Sequence, residues 1–295
     1  MLGFATGLTV YVAALAAALA QTNAPSSFVE ISIKTRNGDL LVEARINHSE
    51  PLWFKLDTGF GITTLNPSLV EPLRLARVGK MTIVGIAGEE EAVTYRGAVF
   101  DFGGLSYEPR RVAVLPSEAR RRWRKRDGIL GAGFFRRFVV EIDADKERIR
   151  LFEPGPFTYT GGGEILPLEF KQDTPIVEAT LMPPGADPIQ GRFEIDTGCD
   201  DCVCLGHDFV AAHRLLESTN ASDTRRGIGG SAEIRPGLLA ELRLGKLVVK
   251  NPSANFFVEG SPAGDGQAGH IGLGALQRFR MIFDYSRRRL ILEKE

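Results

Sequence analysis

Histidine and cysteine, which carry much of enzyme chemistry, are scarce here: four His and three Cys in 295 residues. No Gly-x-Ser-x-Gly elbow is present either, so a serine or cysteine nucleophile with a His base is poorly supported. The three cysteines, Cys199, Cys202 and Cys204, are odd in number, and no second Cys pair or spaced His pair accompanies them. That argues against both a zinc site and a disulfide framework. Buried thiols without metal or cofactor are the expectation. A local Cys199–Cys202 bridge in a turn, or a metal, is the alternative; in an extended chain those two would sit about 10 Å apart, too far for a disulfide. An excess of charge is missing as well. With 36 basic and 37 acidic residues, the net charge of -1 gives no reason to expect a nucleic-acid partner.

Charge is also absent from Leu2 to Ala20, where residues 10–20 are almost wholly apolar and end in Ala18-Leu19-Ala20. This reads as a signal peptide over residues 1–20, although the start of the chain has no Lys or Arg. The alternative is an uncleaved membrane anchor, since about 20 apolar residues can span a bilayer. Both readings put the remaining chain in a secreted or periplasmic, extracytoplasmic location. Glycine is abundant, at 33 residues, and with 16 Pro and many Val, Ile and Phe it favours strands joined by tight turns.

The chain is written twice. LWFKLDTG at 52–59 is answered by GRFEIDTG at 191–198, an offset of 139. Gly128-Ile129-Leu130-Gly131 is answered by Gly269-His270-Ile271-Gly272, and FVVEIDADKERIRL at 138–151 by FRMIFDYSRRRLIL at 279–292, both at 141. Gly85-Ile86-Ala87-Gly88 pairs with Gly227-Ile228-Gly229-Gly230 at 142. Four blocks in one order predict two homologous units, 28–152 and 164–295, joined by a Pro/Gly-rich linker at 153–163. Short alternating runs at 28–34, 40–46, 52–57, 98–102 and 110–115 read as strands. Helices are expected at Pro67–Ala76, Phe134–Phe138, His207–Glu217 and Ala275–Phe279. The fold class is therefore all-β with a few short helices.

Each Asp-Thr-Gly places a carboxyl at the end of an apolar strand, where burial disfavours ionisation. Gly59 and Gly198 permit a sharp turn there. If a pseudo-twofold axis relates the units, Asp57 and Asp196 face each other and share a proton. The ionised partner then activates a water while the protonated one binds a carbonyl.

On these residues the chain resembles aspartic peptidases of the pepsin and retropepsin type, especially single-chain bacterial forms, over about 28–295. The resemblance implies two β-barrel-like lobes, an aspartic endopeptidase activity, and Asp57 and Asp196 as the catalytic pair. It implies that Thr58 and Thr197 bond across the lobe interface, supporting the loops together with Gly59 and Gly198. Gly198-Cys199-Asp200-Asp201 is similar to the retroviral continuation in which Asp200 and Asp201 would contact substrate. Gly85, Ile86 and Gly88, with Gly227, Ile228 and Gly229, match glycine-rich flaps over a bound peptide. The implied partner is a peptide or protein, and the chain is expected to be a monomer.

The sequence departs from the pattern at His270, in a slot usually aliphatic, and at Phe60 and Cys199, where Ser, Thr or Ala usually follow. In the family a hydroxyl there can stabilise the ionised carboxylate. Without it, both apparent pKa values of the pair are expected to rise, and the active pH window with them. The competing reading is a peptide-binding module that has lost the chemistry; both Asp-Thr-Gly sites survive, which favours the enzyme. P-type ATPase aspartates carry a Lys before the Thr, absent at both sites. His207 and His213 are expected on a helix surface. The run Arg120–Arg126 reads as a solvated loop, with a docking site for an acidic substrate or lipid head groups, or a nicking site, as alternatives.

Overall fold

The computed structural model describes residues 27–115, 126–218, 221–264 and 266–294. The apolar start of the chain, residues 1–20, and most of the basic run, 120–125, lie outside the described residues. Arg126, the last of that run, is largely buried and paired with Asp39 at 2.6 Å. Among the described residues no helix is long and apolar enough to cross a membrane.

Among the described residues strands dominate and form two sheets, of 15 and 10 strands. The blocks that repeat in the sequence meet in space. Residues 138–151 fold into a hairpin of Val139–Asp143 and Arg148–Phe152, and 279–292 into one of Arg280–Asp284 and Arg289–Glu293. The hairpins pair edge to edge, Val140 opposite Phe283 and Ile142 opposite Met281. Each is then flanked by the first strand of its own copy: Phe28–Ser32 beside Arg148–Phe152, and Glu164–Pro167 beside Arg289–Glu293. The result is a palindromic run of six strands shared by both copies. Inside it Glu141 is buried but bonded to Arg150 and Arg280, so its charge is paired across the junction.

Each Asp-Thr-Gly strand lies parallel to its Gly-rich partner. Leu52–Leu56 runs beside Gly128–Leu130, and Ile189–Asp196 beside Gly269–Gly272. Directly after Gly131 and Gly272 come the short helices Ala132–Arg137 and Leu273–Leu276. They start earlier than their side-chain spacing predicts, because each glycine is itself the N-cap. The first carries Phe134 and Phe135 into a core with Phe100, Phe102 and Phe138, all at most 1% exposed. Ring centroids 5.0–5.5 Å apart link Phe102, Phe134 and Phe138 at tilted and edge-on angles.

Two helix expectations need correction. Pro67–Ala76 forms only a 3-10 turn, Pro67–Leu69, capped by the Asn66 side chain. Pro72 cannot donate to a continuing helix and Arg74 is left-handed at φ 52, so the chain turns into the strand Ala76–Gly85. His207–Glu217 is a helix only to Ala212, broken at Arg214 (φ 53) before the 3-10 turn Leu215–Ser218. His213 is exposed, as expected, whereas His207 is partly buried.

Candidate active site

The two Asp-Thr-Gly turns interlock by reciprocal bonds. Thr58 N–H donates to Thr197 Oγ1 at 3.1 Å, and Thr197 N–H to Thr58 Oγ1 at 2.9 Å. The Thr58 hydroxyl donates to Ile195 O at 2.7 Å and the Thr197 hydroxyl to Leu56 O at 3.1 Å. Each hydroxyl thus accepts from the opposite turn and donates to the opposite strand, and both are buried. This fixes the turns relative to one another and sets Asp57 and Asp196 close enough for each carboxyl to act on the ionisation of the other.

Glycine at 59 and 198 is required by space. A methyl group at Gly198 would occupy the Asp57 carboxyl, and one at Gly59 the Asp196 carboxyl. Gly198→Ala is therefore expected to abolish any chemistry of the pair and to cost about 1–3 kcal/mol by overpacking. Gly61, whose nearest neighbour would be Gln172 O at 3.5 Å, should tolerate Ala in the same denaturation and turnover measurements.

The two carboxyls are 8–9% exposed yet electrostatically unequal. The inequality comes from charges that break the repeat. Lys55 occupies the strand position that Glu194 holds in the second copy, and their parallel partners are Ile129 and His270. Buried Lys55 bonds Asp39 at 2.7 Å and donates to the Gly198 carbonyl of the other turn. His270 bridges Asp196 through Nδ1 at 3.1 Å and Glu194 through Nε2 at 3.0 Å. Glu194 also accepts from Gly264 N–H at 2.9 Å. Burial and the neighbouring Asp196 raise Asp57 to about 7, against the attraction of Lys55 and Arg126. Burial acts on Asp196 too, but the bond and charge of His270, helped by Lys55 and Gly198 N–H, bring it down to about 2. Against a burial that opposes its charge, His270 is held well above its ordinary value by Asp196, Cys199 and Glu194. The expectation that both carboxyls shift upward is corrected: the stabilising partner of Asp196 is an imidazolium rather than a hydroxyl.

Two hairpins reach the clusters that Phe60 and Cys199 cover beside the turns. Ala76–Gly85 with Gly88–Arg96, and Asp223–Gly227 with Gly230–Leu238, meet at their tips. Ala87 N–H donates to Ile228 O at 3.4 Å and Gly229 N–H to Glu90 Oε1 at 3.1 Å. The tips exchange side chains: Ile86 packs against the cluster of Cys204, Ala232, Ile234 and Phe257 in the second copy, which Cys199 also covers, while Ile228 packs against that of Ile83, Ala92, Ala113 and Leu115 in the first, which Phe60 and Ile62 also cover. The bulky Phe60 and the Cys199 that follow the two turns thus each cover the same cluster as the opposite tip. A Cβ at Gly85 would collide with Ile228 and one at Gly229 with Gly88, which explains the glycines of the tips.

Asp200 and Asp201 part company. Asp200 is exposed beside the turn at Gly38, whereas Asp201 is ion-paired with Arg225 and accepts from Cys204 Sγ at 3.4 Å. The site residues that sequence reading missed are Lys55 and Glu194, each two residues before its Asp, and the role of His270. A charge inside an otherwise apolar strand was the available signal for the first two.

Residues 42–134 match the family model described as Aspartyl protease. No curated protein matches the chain. Among solved structures the chain is similar to the aspartic proteinase from Irpex lacteus, with a TM-score of 0.59 and 12% identity. That match covers 91% of this chain and 97% of the other. The chain has the fold of an aspartic proteinase. Within that fold, the matched segment holds the first Asp-Thr-Gly turn, the hairpin of Ala76–Gly85 and Gly88–Arg96, and the Ile-Leu-Gly element that backs the turn.

Proposed function

We propose that the chain is an aspartic endopeptidase of two lobes, about 28–152 and 164–295, with Asp57 and Asp196 as its catalytic pair. The observation that carries this reading is the interlocked pair of turns, which sets two buried carboxyls beside each other with Asp57 raised to about 7 and Asp196 lowered to about 2. Asp57, protonated below about 7, donates to the carbonyl oxygen of the scissile peptide. Asp196, ionised above about 2, takes a proton from water, whose oxygen adds to the carbonyl carbon. Collapse of that adduct breaks the C–N bond as a proton passes to the leaving nitrogen. The paired tips must part to admit an extended chain. They then offer Gly85 to Gly88 and Gly227 to Gly229 as backbone partners, and Asp200 an exposed carboxylate beside the entry.

The test is incubation of the purified chain with a diverse peptide mixture, with and without a statine-type transition-state mimic. Cleavage suppressed by the mimic is the expected result. Binding of extended peptides without cleavage would replace this reading with that of a peptide-binding module.

A further inference from the structure

The three cysteines are not used by the chemistry above, and the close pair among them is not the Cys199–Cys202 pair weighed as an alternative to free buried thiols. Cys199 meets Cys204 rather than Cys202, with the two Sγ atoms 3.8 Å apart, in van der Waals contact. A disulfide bond is about 2.05 Å, so closure needs a shift of less than about 2 Å. Cys202 is buried in the main apolar core, whereas Cys204 belongs to the separate cluster that Ile86 and Cys199 cover.

The pair is also unequal in access and in acidity. Cys199 is partly exposed, while Cys204 and Cys202 are buried. Bonds from Cys204 and His270 lower the Cys199 thiol to about 7, against its burial, so a thiolate forms readily there. Cys204, beside Cys199, buried and facing Asp201, is pushed well above the usual thiol range.

We propose that Cys199 and Cys204 are a redox modification site that closes to a reversible disulfide, with Cys199 meeting a peroxide-class oxidant and Cys204 resolving the product. The Cys199 thiolate attacks one peroxide oxygen; an S–O bond forms, the O–O bond breaks, and the departing hydroxide takes a proton to become water. Once Cys199 is a sulfenic acid, the bond and charge that opposed ionisation of Cys204 are gone; the Cys204 sulfur attacks the Cys199 sulfur as its proton passes to the second departing hydroxide, so an S–S bond replaces S–O. Two electrons pass from the pair to the peroxide. The effect on turnover rests on the peptidase reading above. Bridging swings Cys199 Sγ away from His270, which holds Asp196, and disturbs the cluster that Cys199 and Ile86 cover together. Misplacement by about 1 Å near a reacting group can cost up to roughly a hundredfold, so a fall of about tenfold is expected.

The experiment treats the full chain with hydrogen peroxide and reads intact mass, thiol alkylation and a peptide map. The wild type should lose two hydrogens, link Cys199 to Cys204, and recover both mass and turnover with a dithiol reductant. Cys202→Ser should form the same bridge. Cys204→Ser should stop at a sulfenic acid on Cys199 that a dimedone-type reagent traps. Three alkylatable thiols after treatment, or a link through Cys202, would overturn the site. A correct bridge with unchanged turnover would overturn its effect on activity. The mass readout is independent of cleavage, so reduced protein that bridges yet cleaves no peptide would count against the peptidase reading alone.

Discussion

Asp57→Asn and Asp196→Asn should each lower peptide hydrolysis by roughly four orders of magnitude or more, and the double variant should be no worse, because residues that act as one unit are not additive. The two single variants should differ in stability instead. Asp57 carries the proton through most of the acid range, so an amide there replaces one neutral group by another of the same shape. Little change in the denaturation midpoint is expected near pH 6. Asp196→Asn leaves His270 facing a neutral amide with only Glu194 to balance it, and breaking a buried ion pair typically costs about 3–5 kcal/mol. Kinetics on a cleaved peptide and urea denaturation of the three variants check both halves. A single variant that keeps near-normal turnover would remove the shared-proton mechanism.

Much of this arrangement was legible because it is duplicated. The repeat located both turns, both backing Gly-rich elements and the tips at Gly85–Gly88 and Gly227–Gly230 without any structural information. What duplication could not convey lies where the copies disagree. Lys55 against Glu194, and Ile129 against His270, are single differences in matched blocks, and their meaning depends on parallel strand registers that bring each pair side by side. Sequence alone gave no ground for that register. The Cys199–Cys204 contact was missed for a related reason. An extended reading of 199–204 ignores the bend after the turn, where Leu273 N–H donates to Cys199 O and Gly272 N–H to Cys202 O. The failed helix at Pro67–Ala76 had its signal in view, since Pro72 sits in the middle of the apolar spacing.

The pH profile is where His270 has the largest consequence. Activity requires Asp57 protonated and Asp196 ionised. The kcat/KM profile should therefore rise as Asp196 ionises near about 2 and fall as Asp57 loses its proton near about 7, as apparent values of the coupled pair. The groups that face His270 are Asp196, Glu194 and Cys199, from the strand Ile189–Asp196 and the turn after it. His270→Leu removes a bond and a positive charge from Asp196 while its burial persists, so ionising it becomes harder. The acid limb should move up by about one unit or more, each unit being ~1.4 kcal/mol. The limb set by Asp57 should not move down, because losing a nearby cation does not favour its ionised form. The window narrows from the acid side. Glu194 would be left buried with only Gly264 N–H, so Glu194→Gln is best combined with His270→Leu to preserve folding. His270→Gln, which keeps a neutral donor, should give an intermediate acid limb. A merely structural role for His270 would lower activity at every pH alike; a folded His270→Leu variant with an unmoved acid limb would therefore show that Asp196 does not depend on the imidazolium.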